Sequence, residues 1–155
     1  MCDDVHRYRR SLPHWRVDGA VYFVTWRLCS GEEPLTVVER DQVAQVIRYF
    51  DGERFELFAY VVMNDHVHVL VRPRRALALE QVVHSWKSYS TAVLNCGARS
   101  GKVWQGEYYD HIIRGDEDFN QKLGYIMANP FKRWPGIENY PWVWCRDDLN
   151  DSGQP

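Results

Sequence analysis

No stretch of this chain approaches the roughly 20 consecutive apolar residues that a membrane-spanning helix needs. The opening Met1-Cys2-Asp3-Asp4 is acidic where a signal peptide would carry an apolar core. Cysteine is sparse and scattered, at Cys2, Cys29, Cys96 and Cys145, with no C-x-x-C pair. That spacing suggests neither a disulfide framework nor a zinc knuckle, and it reads as reduced thiols in a cytoplasmic protein. Internal repeats, linkers and low-complexity tracts are missing. The 155 residues therefore read as one domain, 1–155, with an N-terminal arm over 1–16 and a tail over 135–155. Net positive charge is missing too: the formal charge of −2 gives no support by itself to a nucleic-acid partner.

What the chain does have is material for a core. At 45% hydrophobic and 14% aromatic it has the composition of a folded globule rather than a disordered chain. Its charge is also segregated. Arg7, Arg9, Arg10 and Arg16 cluster near the start, Arg72, Arg74 and Arg75 fall together, and Lys132-Arg133 follow later; acid collects in Asp116-Glu117-Asp118 and beyond Asp147. Such segregation permits a basic face on an acidic protein, and it is equally the pattern of an ordinary solvated surface.

The stretch Val61-Val62-Met63-Asn64-Asp65-His66-Val67-His68-Val69-Leu70-Val71-Arg72 is apolar on both sides of a polar break. The β-branched run after the break predicts a strand. Strand side chains alternate, so Val67, Val69 and Val71 face a core while His66 and His68 stand side by side on the opposite face. Two such imidazoles can hold a divalent metal if a third ligand comes from elsewhere. An H-x-H pair is also what two solvated strand histidines look like, and alone it does not choose. Asp65, beside the pair, reads as a turn residue rather than a ligand.

The rest of the pattern predicts strands at Val21–Leu28 and Phe55–Val62, the latter pairing with the His strand across Asn64-Asp65. A helix runs from an N-cap at Thr36, with Glu39 three residues on, to Asp51-Gly52. A second helix covers Leu79 to Leu94, and an extended aromatic segment runs from Val103-Trp104 to Ile113-Arg114 with a break at Gly106. A third helix opens on the acidic Asp116-Glu117-Asp118, favourable for its dipole, and should end near Pro130. The tail from Phe131 shows no period. The order β-α-β-β-α-β-α predicts an α+β fold, a ferredoxin-like or RRM-like antiparallel sheet backed by helices.

On the third helix Tyr125 and Asn129 are four residues apart and share a face. An amide oxygen is a reasonable third ligand for a hard or borderline divalent ion, and a phenol one turn away is a potential nucleophile. Free tyrosine is only about a thousandth ionised at neutral pH, so such a nucleophile needs its target polarised or its phenolate stabilised. Two His, an Asn and a Tyr suit phosphoryl transfer at a DNA backbone. The spacing alone also allows Tyr125 to pack at a helix–sheet seam and Asn129 merely to end the helix. Tyr89, Tyr108 and Tyr109 have no ligand-type residue one helical turn away, so Tyr125 ranks first. A barrel hydrolase using H-x-H would need a far longer chain. A two-histidine phosphoesterase would need a second H-x-Ser/Thr motif, which is not present.

Four blocks together resemble the REP-associated tyrosine transposases, within the wider HUH single-tyrosine transposase superfamily. They are Arg10-Ser11-Leu12-Pro13-His14-Trp15 with Tyr22-Phe23-Val24-Thr25-Trp26-Arg27-Leu28; Met63-Asn64-Asp65-His66-Val67-His68-Val69-Leu70; Val103-Trp104-Gln105 with Tyr108-Tyr109-Asp110-His111-Ile112-Ile113-Arg114; and Tyr125-Ile126-Met127-Ala128-Asn129-Pro130. Met63 stands where the family commonly has a proline, a turn variant that leaves both histidines in place, and the pI is lower than in many relatives.

The resemblance implies that His66 and His68, with Asn129 as third ligand, bind Mg²⁺ or Mn²⁺, and that Tyr125 on a C-terminal helix attacks single-stranded DNA. The product would be a 5′-phosphotyrosine and a free 3′-OH. The implied substrates are hairpins of palindromic repeats, met at the nucleoid in the cytoplasm by a monomer or homodimer. Arg9, Arg10, Arg16, Arg72, Arg74, Arg75, Lys132 and Arg133 are candidates to track phosphates, with Lys87 a further candidate to steady one. Trp15, Trp86 or Trp104 could stack unpaired bases, although core packing is their commoner role. The rival expectation is a non-catalytic nucleic-acid-binding module on the same fold. A purely structural partner protein would leave the His–Tyr–Asn coincidence without a reason.

Overall fold

The structure, a computed structural model, describes residues 19–74 and 76–149. In chain order the elements are β1 (Tyr22–Arg27), α1 (Val37–Arg48), β2 (Phe55–Val62), β3 (His66–Pro73), α2 (Leu79–Asn95), β4 (Tyr109–Ile112), α3 (Asp116–Arg133) and β5 (Val143–Cys145), with a final 3₁₀ turn at Asp147–Leu149. The five strands form one sheet in the order β4-β1-β3-β2-β5, every neighbouring pair antiparallel. Its first four strands have the ferredoxin-like arrangement that the order of elements predicts.

Both faces of the sheet are covered. Val24 and Trp26 of β1, Leu57, Tyr60 and Val62 of β2 and Val67, Val69 and Val71 of β3 pack in one core with Val43, Ile47, Val82, Val83 and Trp86 of α1 and α2. On the other face Phe23, Ala59, Val61 and Leu70 meet Phe119, Leu123 and Ile126 of α3. A register shift between Leu57 and Ala59 lets the consecutive Phe58 and Ala59 both enter the α3-side core, the local effect of a β-bulge.

Local chemistry sets the ends of the elements. Thr36 Oγ1 accepts from the Glu39 amide (3.2 Å) and the Glu39 carboxylate accepts from the Thr36 amide (3.0 Å), the reciprocal box that starts α1. The β2–β3 connection closes with the Met63 amide donating to His66 O (2.8 Å), and the Leu28 and Leu35 amides bind the Asp65 and Asn64 carbonyls. Met63 is buried in the α3-side core, so the apolar residue at the turn adds packing where a proline would add stiffness. Gly115, between β4 and α3, has φ of 121°, a conformation that only glycine adopts without strain.

Three sequence expectations are corrected. The helix expected to end near Pro130 continues through it to Arg133. The proline forfeits one backbone bond, but Pro130 is buried and its carbonyl accepts from the Trp134 amide at 2.9 Å, which keeps the last turn. The tail read as irregular contributes β5, which pairs with β2 at Ala59, Tyr60 and Val61. The extended segment is a strand only over Tyr109–Ile112, with Trp104 bridging Leu28 alone.

Arg72 lies on the α3-side face of β3 but is buried. Its guanidinium binds the Glu56 carboxylate, Nε at 3.1 Å, and Glu56 also accepts from Arg146 just beyond β5 (2.7 Å). Burial alone would raise the Glu56 carboxyl; hydrogen bonds from Arg72 and Arg146 outweigh it and hold the group below its ordinary 4.5. Because the folded value is the lower one, this stabilisation is present above the unfolded value and is lost as pH falls through the folded value. Arg72→Ala is expected to reduce the unfolding free energy at neutral pH by about 2–3 kcal/mol in urea titrations. It should also flatten the loss of stability on acidification through the carboxylate range. A full acid limb in the variant would show that Arg72 is not what holds Glu56 down.

Candidate active site

Period-2 alternation on β3 sends Val67, Val69 and Val71 into the α1/α2 core and leaves His66 and His68 on the α3 side. The two imidazole centroids are 4.7 Å apart. This face is covered rather than open: His68 is only 4% exposed. Its ring stacks on Phe23 of β1 (5.3 Å, 19°), and the ring of Tyr125 from α3 meets it edge-on at 5.2 Å. Tyr125 also contacts Phe23 edge-on at 5.9 Å. Phe119, Leu123 and Ile126, fully buried on α3, hold the helix to the sheet, and Tyr125 emerges beside them 45% exposed. The histidine pair and the tyrosine thus meet within one chain.

Each imidazole has a partner on one nitrogen. His66 Nδ1 is 2.7 Å from Asp65 Oδ1; a carboxylate only accepts, so Nδ1 carries the proton and Nε2 keeps its lone pair. His68 Nδ1 is 2.7 Å from Thr25 Oγ1 on the neighbouring strand, where Thr25 and His68 are register partners. His68 Nε2 is buried with no hydrogen-bond partner among the described residues. If Nδ1–H donates to Thr25, that orphaned nitrogen is a lone pair in want of a cation. Burial, then repulsion from His66 and Arg27, pushes His68 down to about 3. His66 is also lowered, by burial first and by the Arg27 and Arg133 charges, against the opposing Asp65 contact. Both rings are therefore neutral at physiological pH, the form that ligates metal.

No group of three His, Cys, Asp or Glu side chains able to hold a metal occurs among the described residues. A metal on this pair would need another donor type. Asn129, partly buried one turn beyond Tyr125 on α3, offers an amide oxygen, and the donor set N₂O fits a hard or borderline divalent ion.

Beside the pair lies a cleft of about 480 Å³ lined by Phe23, Thr25, Arg27, His68, Tyr109, Gln121, Lys122 and Tyr125. Arg27 is the register partner of His66 and is exposed. Lys122, one turn before Tyr125, is held by Asp118 (3.0 Å), which also binds His111 of β4 (2.8 Å) and the Arg114 amide (2.9 Å). Sequence reasoning passed over Thr25, Arg27 and Lys122. The signal was available in part, since Phe23, Thr25 and Arg27 alternate on β1 just as His66 and His68 do on β3. Only pairing in space reveals that they share a face. Asp65 proves to be a turn residue that also orients His66.

The expected cations separate. Arg133, at the end of α3, is exposed and close enough to depress His66; Lys132 beside it and Arg74 beyond β3 are exposed. Arg72 is in the ion pair with Glu56. Lys87 belongs to α2 on the opposite face, where its ammonium donates to the Gln105 and Gly106 carbonyls (2.7 and 3.2 Å); the structure does not bring it to the histidines. Trp86 and Trp104 are core residues, each 2% exposed and packed on Trp26, so neither offers a free face to a base. Arg9, Arg10, Arg16, Arg75 and Trp15 lie outside the described residues.

Comparison with known proteins finds relatives of this chain and of its fold. The chain is 25% identical over 128 residues to the REP-associated tyrosine transposase of Escherichia coli (strain K12), a match spanning 81% of this chain and 72% of that protein. Its fold is that of a solved REP-associated tyrosine transposase bound to a REP hairpin, with TM-score 0.67 and 22% identity over 86% of this chain and 81% of that one. Among the described residues no helix is long and apolar enough to cross a membrane. Residues 18–129, well over half of the sequence, match the family described as IS200-like transposases, and the chain belongs to that family.

Proposed function

We propose that this protein is a REP-type member of its family: a metal-dependent single-strand DNA endonuclease and strand transferase that acts on hairpin-forming repeats through a 5′-phosphotyrosine intermediate. The observation that carries the reading is the contact of Tyr125 with His68 in the same chain, at the edge of an open cleft. The E. coli relative and the hairpin-bound neighbour support the choice of substrate.

In this reading His66, His68 and Asn129 would hold Mg²⁺ or Mn²⁺. The ion, when bound, polarises the scissile phosphate. Tyr125 Oη attacks phosphorus and releases its proton to solvent. The P–O3′ bond breaks, and the departing 3′ oxygen takes up a proton. The strand is left joined through its 5′ phosphate to Tyr125. Attack by a 3′-OH on that linkage restores a phosphodiester and the free phenol, with no nucleotide cofactor needed. Arg27 and Lys122 place positive charge beside the transferring group, which favours the dianionic transition state. Thr25 and Asp65 fix the orientation and tautomer of the two imidazoles. Arg133 and Lys132, at the end of α3 nearest His66, add positive charge for the backbone, whereas Arg74 lies at the far end of β3. One chain supplies nucleophile and ligands, so a monomer suffices.

The first test incubates a labelled single-stranded palindromic repeat with wild type and Tyr125→Phe, in Mn²⁺ or EDTA, and resolves products on denaturing gels. A metal-dependent protein–DNA adduct is expected from wild type alone, with the variant still shifting the hairpin in native gels. Binding without cleavage or linkage across several hairpins would transfer the assignment to a non-catalytic binding module. Thr25→Val should raise the Mn²⁺ concentration for half-maximal adduct formation by about 10- to 100-fold. An unchanged Mn²⁺ requirement would show that the Thr25 hydrogen bond plays no part in metal binding.

A further inference from the structure

Two adjacent tyrosines at the entry to β4 are treated differently by the fold. Tyr108, just before the strand, is half-buried against the α1/α2 core. Tyr109 turns to the other face. It pairs with Thr25 across β1, so it stands on the same side of the sheet as His68 and lines the same cleft as Tyr125. It is 58% exposed, and among the described residues its ring rests on no other aromatic. A single exposed aromatic is ordinary. What distinguishes Tyr109 is its place, in register with the threonine that orients His68.

The position is also fixed. β4 is bonded along its length to β1. Two residues on, on the same face, His111 Nε2 meets Asp118 Oδ2 at 2.8 Å and pins the strand to the first turn of α3. Tyr109 therefore presents a ring from a rigid support, two strands away from His68, roughly 10 Å at the usual strand spacing. A phosphate at the histidine pair puts the neighbouring nucleotide within reach of that ring. Arg27, on β1 between the two, lines the intervening cleft.

We propose that Tyr109 is a substrate-binding residue: the platform on which an unpaired nucleobase next to the scissile phosphate stacks. This rests on the single-strand DNA reading above and adds to it the location of the first unpaired base. Stacking needs only the π-face, so it contributes affinity and positioning for any base rather than sequence choice.

The test uses the full chain with Tyr125→Phe as a non-cleaving parent, and hairpin oligonucleotides with a single-stranded flank in which one abasic site is moved along position by position. Affinities are measured at one fixed salt concentration, since phosphate contacts make them salt-dependent. One abasic position is expected to weaken the parent about tenfold. Adding Tyr109→Ala should weaken binding to intact DNA by a similar factor and show no further loss at that position. Tyr109→Phe should behave as the parent. If Tyr109→Ala keeps the parent's full sensitivity at every abasic position, or if Tyr109→Phe is as weak as Tyr109→Ala, the stacking role is overturned. Wild type with Mn²⁺ is run alongside. An adduct there combined with either of those results removes Tyr109 alone, whereas no adduct and no binding to any flank removes the single-strand DNA reading with it.

Discussion

A strand buried on both faces has no neutral register, and β3 is such a strand. Shifting it by one residue against β1 and β2 would drive His66 and His68 into the α1/α2 core and turn Val67, Val69 and Val71 toward α3. The two cores therefore hold the imidazoles in place more firmly than any contact of their own. The Thr25–His68 hydrogen bond, the Arg27–His66 pairing and the approach of Tyr125 all presuppose that register. The bond to Thr25 then refines a ring orientation that packing has already restricted.

Much of this was legible in the residues. Alternation in His66-Val67-His68-Val69-Leu70-Val71 told which way the imidazoles face, and Thr36 with Glu39 marked the start of α1. What stayed hidden has physical reasons. β5 is three residues long and gains its stability from pairing with β2, so no local period announces it. Pro130 signals a helix end by its backbone chemistry, but tertiary burial overrides that signal. Arg72 reads as a surface cation until Glu56 and Arg146 are placed around it. The roles of Thr25, Arg27, Lys122 and Tyr109 depend on β1 and β4 lying beside β3, information carried by strand order rather than by spacing. The tryptophans show the reverse case, where the bland expectation of core packing was the right one for Trp86 and Trp104.

Net charge was a poor guide for a related reason. The sum of −2 averages over the whole surface, while the groups around the cleft are Arg27, Lys122 and, near His66, Arg133. Several of the acids are committed elsewhere: Glu56 to Arg72 and Arg146, Glu32 and Glu39 to Arg99, and Asp118 to His111 and Lys122. Asp118 neutralises part of the charge on Lys122 and at the same time aims it along α3. The balance that matters for an anionic strand is local, and locally it is positive.

The attachment of α3 has a mechanical side. Tyr125 lies in the middle of an 18-residue helix seated by Phe119, Leu123 and Ile126 and tied at its first turn through Asp118 to β4. A strand covalently held on Tyr125 would pull on the protein at that point. The load would pass along the helix and spread into the sheet, with anchors both before and after the loaded residue. Tension would be shared between a buried apolar seam, which yields little until it separates, and a polar tie at the surface, which can break and re-form. A tyrosine on a loop would transmit the same pull to a hinge. Set on this helix, it would, in the proposed reaction, act as a tether that keeps its bearing while the free DNA end is withdrawn or exchanged.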